Sequence, residues 1–92
     1  MQGKDILHTA IAGGINHWAE VQQYSDTVAT VKDMDDGTIY TVTAAGMTAA
    51  AKDVLRMYPG TNAARYIRED DIDAEAADVI FQTAALGCIV YG

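Results

Sequence analysis

The sequence predicts a small α+β fold, a three- or four-stranded antiparallel meander packed against two or three helices. Apolar residues recur with period two before residue 43 and with period 3.6 after it. Thr27 to Lys32 and Thr38 to Thr43, both rich in β-branched residues, flank a stretch ending in Asp36-Gly37, a dipeptide suited to a tight hairpin. A chain of 92 residues, 50% of them apolar, can bury one core and not two, so residues 1–92 are expected to form a single domain.

The elements follow in order. Ile6, Leu7, Ala10 and Ile11 are at helical spacing, which predicts a helix over 4–13 stopped by Gly13-Gly14. From Ile15 to Tyr24 the pattern alternates like a strand, with Ile15, His17, Ala19 and Val21 on one face and Trp18, Glu20, Gln22 and Tyr24 on the other. Ser25-Asp26 then marks a turn before the two β-branched runs. A second helix is expected from about Thr43 to Met57, with Met47, Ala50, Ala51 and Val54 as its stripe and Pro59-Gly60 closing it. Asn62 to Glu69 can add one or two helical turns if tertiary contacts support them. The last helix has Asp73 as N-cap, Glu75 and Asp78 in its first turns, Val79 and Ile80 for the core and Gly87 as C-terminal cap. Ile89, Val90 and Tyr91 are too apolar for a free tail and are expected to dock or to add a short strand.

Charge narrows the function classes. Thirteen Asp and Glu against six Lys and Arg give a net charge of -7, which opposes a sequence-independent hold on a phosphate backbone, so direct nucleic-acid binding is not expected. The single cysteine cannot form an internal disulfide, which suits a reducing cytoplasm. The chain opens with no leader-like pattern and holds no run of about 20 apolar residues, so a cytoplasmic protein with no membrane attachment is expected.

Few residues suggest chemistry. Glu69, Asp70, Asp71, Asp73, Glu75 and Asp78 form an acidic run without an intervening cation. A calcium loop counted from Asp70 would need Gly sixth and Glu twelfth, but Glu75 and Phe81 occupy those places, so no metal is expected. His8 and His17 lack ligand companions at zinc spacing, and each is expected to be a satisfied histidine in or beside the core. Cys88 is expected to be buried, and Ser25, the only serine, lies in a turn without a nucleophile elbow. No catalytic constellation or cofactor motif emerges, and a non-enzymatic binding role is expected.

Trp18 and Tyr24 can stack a ring, unless Trp18 fills the core under a helix. Arg56, Arg65 and Arg68, with Lys52, gather four of the six cations within seventeen residues and can bind phosphate or neutralise the acidic run. Together these residues outline a site for a small phosphorylated ring ligand. The last helix is apolar around much of its circumference, and Phe81, Ala85, Ile89 and Val90 then predict a homodimer or higher oligomer with this helix, Phe81 included, or the apolar tail at the contact.

The two ends of the chain carry a resemblance. Ala10-Ile11-Ala12-Gly13-Gly14-Ile15-Asn16-His17-Trp18-Ala19-Glu20-Val21 and Asp73-Ala74-Glu75-Ala76-Ala77-Asp78-Val79-Ile80-Phe81-Gln82, with Ile89-Val90-Tyr91-Gly92, resemble a family of small proteins, without an assigned activity, from phages and mobile elements of actinobacteria. The chain departs from the family pattern in having Leu86 directly before Gly87, with no aromatic between them. The resemblance implies an accessory protein that counters host defence or regulation by binding a small nucleotide-like ligand or a host protein. An alternative is an acidic decoy that occupies a host nucleic-acid-binding protein through Glu69, Asp70, Asp71, Asp73, Glu75 and Asp78. A small hydrolase comes third and requires His8 or His17 to converge with carboxylates.

Overall fold

The computed structural model describes residues 2–91. Three strands, β1 (Ala19–Tyr24), β2 (Val28–Asp33) and β3 (Ile39–Thr43), form an antiparallel meander in the order β1-β2-β3. Four helices accompany them: α1 (Gly3–Thr9), α2 (Ala44–Met57), α3 (Asn62–Arg68) and α4 (Ala74–Leu86). This is the expected α+β fold. Its sheet has three strands, and no fourth forms from the described tail.

Helix starts and stops fall where local chemistry places them. The Thr43 hydroxyl accepts the Gly46 N–H at 3.0 Å to cap α2, and the Asp73 carboxylate accepts the Ala76 N–H at 2.8 Å to cap α4. Gly87 ends α4 in the left-handed region at φ 85°, where a side chain would be strained. In the β2–β3 hairpin, Asp33 and Asp36 accept the backbone N–H groups of Asp35 and Thr38, and Gly37 takes φ 78°.

The first third of the chain differs from its predicted pattern. α1 passes into a π-helical turn over Ala10–Gly14, and the Ile15 carbonyl then accepts both the Trp18 and the Ala19 N–H. Ile15 to Trp18 is therefore a turn, and β1 begins only at Ala19. Ile15 and Trp18 are both buried, three residues apart, which is the spacing of a turn and not of one strand face.

A second departure lies inside β1. Val21 pairs with Val31 but Gln23 pairs with Thr30, so Gln22 is the extra residue of a bulge. Glu20 shares the outer face with Lys32, whereas Tyr24, opposite Ala29, belongs to the core face. The predicted face of Trp18, Glu20, Gln22 and Tyr24 keeps only Glu20 and Gln22, whose side chains meet at 2.9 Å, because the turn removes Trp18 and the bulge reverses Tyr24.

Helix α4 is the centre of the molecule. It packs against α1, α2, α3, the π-helical turn and β3. Ile80 and Phe81 are fully buried and Val79 partly so. Phe81 is thus covered by the chain itself, whereas Ala85 and Ile89 are only partly buried and Val90 is exposed. Gly14 permits this closeness, since a Cβ there would lie 2.6 Å from the Ala74 carbonyl oxygen. No helix among the described residues is long and apolar enough to cross a membrane.

Candidate functional site

Two regions compete for the description of a site: a polar network joining the ends of the chain, and a groove along the open edge of β1.

The network is centred on Asp78, a carboxylate 8% exposed on the buried side of α4. Trp18 Nε1–H donates to its Oδ1 at 2.8 Å, Gln82 Nε2–H donates to the same oxygen at 3.1 Å, and His17 Nε2 lies 2.7 Å from Oδ2. A buried carboxylate survives only when donors replace its lost water, and these three do so. Gln82 then holds the tail. Its Oε1 accepts the N–H groups of Val90 and Tyr91 at 2.9 and 2.8 Å, and its Nε2 donates to the Tyr91 carbonyl at 2.9 Å.

Tyr91 closes the circuit. Its ring stacks on Trp18 with centroids 5.3 Å apart and planes 13° from parallel, while Phe81 meets Trp18 at 6.1 Å and 58°. The Tyr91 hydroxyl donates to Asp33 Oδ2 at 2.7 Å. That bond to the Asp33 carboxylate, with burial and the charges of Asp33, Asp35 and Asp36 adding to it, pushes the phenol up to about 12. In the hairpin, the Thr38 N–H holds the Asp36 carboxyl below the usual carboxylate range.

This region is a clasp and not a binding pocket. No buried side-chain nitrogen or oxygen among the described residues lacks a partner, so the network has no donor or acceptor left over inside. It corrects several expectations. Trp18, 3% exposed, has Tyr91 on its face and its N–H committed to Asp78, so it offers no stacking surface to a ligand. Asp78 is a core carboxylate and not a surface negative. Phe81, fully buried, is no partner contact. His17 sits on the turn with its imidazole partly exposed and not on a strand face. The tail is docked, as its composition suggested, but by a glutamine amide and a stacked ring and not as a strand.

The remaining predicted residues are at the surface. Arg56 pairs with Asp53 within α2 at 3.2 Å, Arg65 lies over the Tyr66 ring at 5.0 Å, and Arg68 donates to the Pro59 carbonyl at 3.2 Å. None of their described contacts is with Trp18 or Tyr24. Glu69, Asp70, Asp71, Asp73 and Glu75 are exposed from the end of α3 to the first turn of α4, with Asp70 at φ 52° and Asp73 capping α4. Cys88 is exposed, contrary to expectation, because Gly87 turns the chain out of α4 just before it.

The histidines each find one carboxylate. His8 lies 3.6 Å from Asp26, and His17 lies against Asp78. Neither pair has a hydroxyl or thiol within its described hydrogen bonds, so no nucleophile is activated there. Among the described residues no group of three or more His, Cys, Asp or Glu is arranged to hold a metal ion.

The groove at β1 has a different character. It is a wide-open hollow of about 690 Å³ between the strand edge and the π-helical segment, lined by Ile11, Asn16, Ala19, Glu20, Val21, Gln22, Gln23, Tyr24 and Met34. Tyr24 is 63% exposed and Met34 52%, two of the largest apolar side chains left open to water. Of the described elements only β2 packs extensively along β1, which leaves the outward backbone groups of the strand without a neighbouring strand. Sequence reasoning found Tyr24 here but missed Ile11, Asn16 and Met34, which reach the groove only through the π-helical turn and the hairpin.

No family model matches the chain, and no match is found among the curated proteins or the solved structures.

Proposed function

We propose that this protein is a non-enzymatic binding module whose working surface is the open edge of β1, where it takes an extended segment of polypeptide. The observation that carries this reading is the groove itself. An added strand would satisfy the outward N–H and C=O groups of β1, and its inward side chains would cover Ile11, Val21, Tyr24 and Met34. A small phosphorylated ring is less well served, because Trp18 is enclosed and the arginines are engaged by Asp53, Tyr66 and Pro59. The accessory role in a phage or mobile element, exercised in the host cytoplasm against a host protein, belongs to this proposal and rests on the resemblance of the two chain ends.

A second reading, the acidic decoy, is favoured by the five exposed carboxylates between Glu69 and Glu75. One experiment separates the two. A photocrosslinking residue is placed at Gln22, at Asp71 or, as control, at Thr41 on the outer sheet face, and the protein is irradiated in cells. Crosslinks to polypeptide from Gln22 alone support the edge, and crosslinks from Asp71 alone support the decoy. An equal yield from Thr41, or none from any position, overturns both.

A further inference from the structure

We infer that the strand seated on β1 is β1 of a second copy of this chain, related by a two-fold axis, so that two three-stranded sheets join into one. The inference rests on the edge reading above and names its partner. It follows from the bulge. Before Gln22 the core-face residues are Ala19 and Val21 and the outer-face residue is Glu20; after it Gln23 is outward and Tyr24 inward.

Two antiparallel β1 strands can be paired in several registers, but side chains directly opposite must lie on the same face. The register that sets Ala19 against Tyr24 and Glu20 against Gln23 uses all six residues and satisfies that requirement at both ends; only at its centre, where Val21 meets the bulged Gln22 whose amide donates to Glu20 at 2.9 Å, is the alternation broken. Shifting by one residue in either direction sets an inward side chain opposite an outward one. Centring on Glu20 opposes two carboxylates. In the matched register Glu20, the only charged residue of β1, faces an amide and never its own copy.

The same register fills the groove. Ala19 has no side chain beyond Cβ, and Met34 lies beside it because its N–H donates to the Trp18 carbonyl. Tyr24 of the second copy would lie over Ala19 and against Met34 and Ile11, while the first copy's Tyr24 does the same on the partner. Each chain therefore brings both the knob and the seat, which is the self-complementarity a two-fold contact requires.

Sedimentation across micromolar concentrations tests this. The expected result is a species of twice the 9.8 kDa chain. Tyr24→Asp is expected to weaken association roughly tenfold or more, and Thr41→Asp on the outer face to leave it unchanged. In a Cys88→Ser background, mixing Glu20→Cys chains with Gln23→Cys chains should give a disulfide-linked heterodimer that neither gives alone. A dimer indifferent to Tyr24→Asp overturns the inference, as does a dimer that links Glu20→Cys to itself. A monomer that still crosslinks from Gln22 to another polypeptide overturns the second copy and keeps the edge. A monomer with no such crosslink overturns both.

Discussion

Asp78 shows how one residue can be misread from its neighbours in sequence. It belongs to an acidic run, and at the start of a helix an anion is ordinarily a solvated partner of the dipole. Yet Ala77 and Ile80 beside it are fully buried, so its carboxylate faces inward and meets Trp18, Gln82 and His17. Asp78→Ala leaves the Trp18 N–H without its acceptor and takes one partner from Gln82. At about 1–3 kcal/mol for each buried group so orphaned, the variant should lose roughly 3 kcal/mol. Asp78→Asn keeps an acceptor oxygen and should lose less. Chemical denaturation of the two variants checks this, and equal losses would show that the carbonyl oxygen does not matter.

Among elements, the join between the π-helical turn and α4 is the one that brings His17 and Trp18 to Asp78. Gly13 and Gly14 look equivalent as a stop signal. They are not equivalent in space. A Cβ at Gly14 would meet the Ala74 carbonyl at 2.6 Å and the Asp78 N–H nitrogen at 3.3 Å, whereas one at Gly13 would meet nothing within 4 Å. Gly14→Ala is therefore expected to cost about 1–3 kcal/mol, as overpacking does, and Gly13→Ala to be neutral or mildly stabilising. Melting temperatures of the pair provide the comparison, and matching values would mean that the two segments separate freely.

At the scale of the whole molecule the clasp ties the last described residues to both the first turn and the hairpin. Its outermost link is Tyr91 to Asp33, and that link has a pH signature. The phenol is raised from 10 to about 12 in the folded state, so the folded protein holds this proton more tightly than the unfolded chain. Its contribution is fully present below pH 10 and is lost as pH rises through about 12. Wild type should therefore exceed Tyr91→Phe in stability at neutral pH, and the difference should shrink between pH 10 and 12. Trp18, the only tryptophan, stacks on Tyr91 and reports the same event through its emission. A gap that persists unchanged at pH 12 would argue against the hydrogen bond.

The sequence by itself determined the fold class, the hairpin at Asp36-Gly37, the spans of α2 and α4 and their Thr43, Asp73 and Gly87 caps. These are local matters: period, turn chemistry and capping act over a few residues, and each can be recognised without knowing what lies across the core. The clasp unites two distant segments of the chain, Trp18 standing near its start and Asp78, Gln82 and Tyr91 near its end. Only the tertiary structure decided that these segments meet. It also turned Trp18 inward, reversed Tyr24 through a bulge that no composition announces, and placed Ile11 and Met34 beside one strand edge. Burial and register depend on contacts between residues as far apart in the chain as Trp18 and Tyr91, and such contacts leave no periodic trace in the sequence.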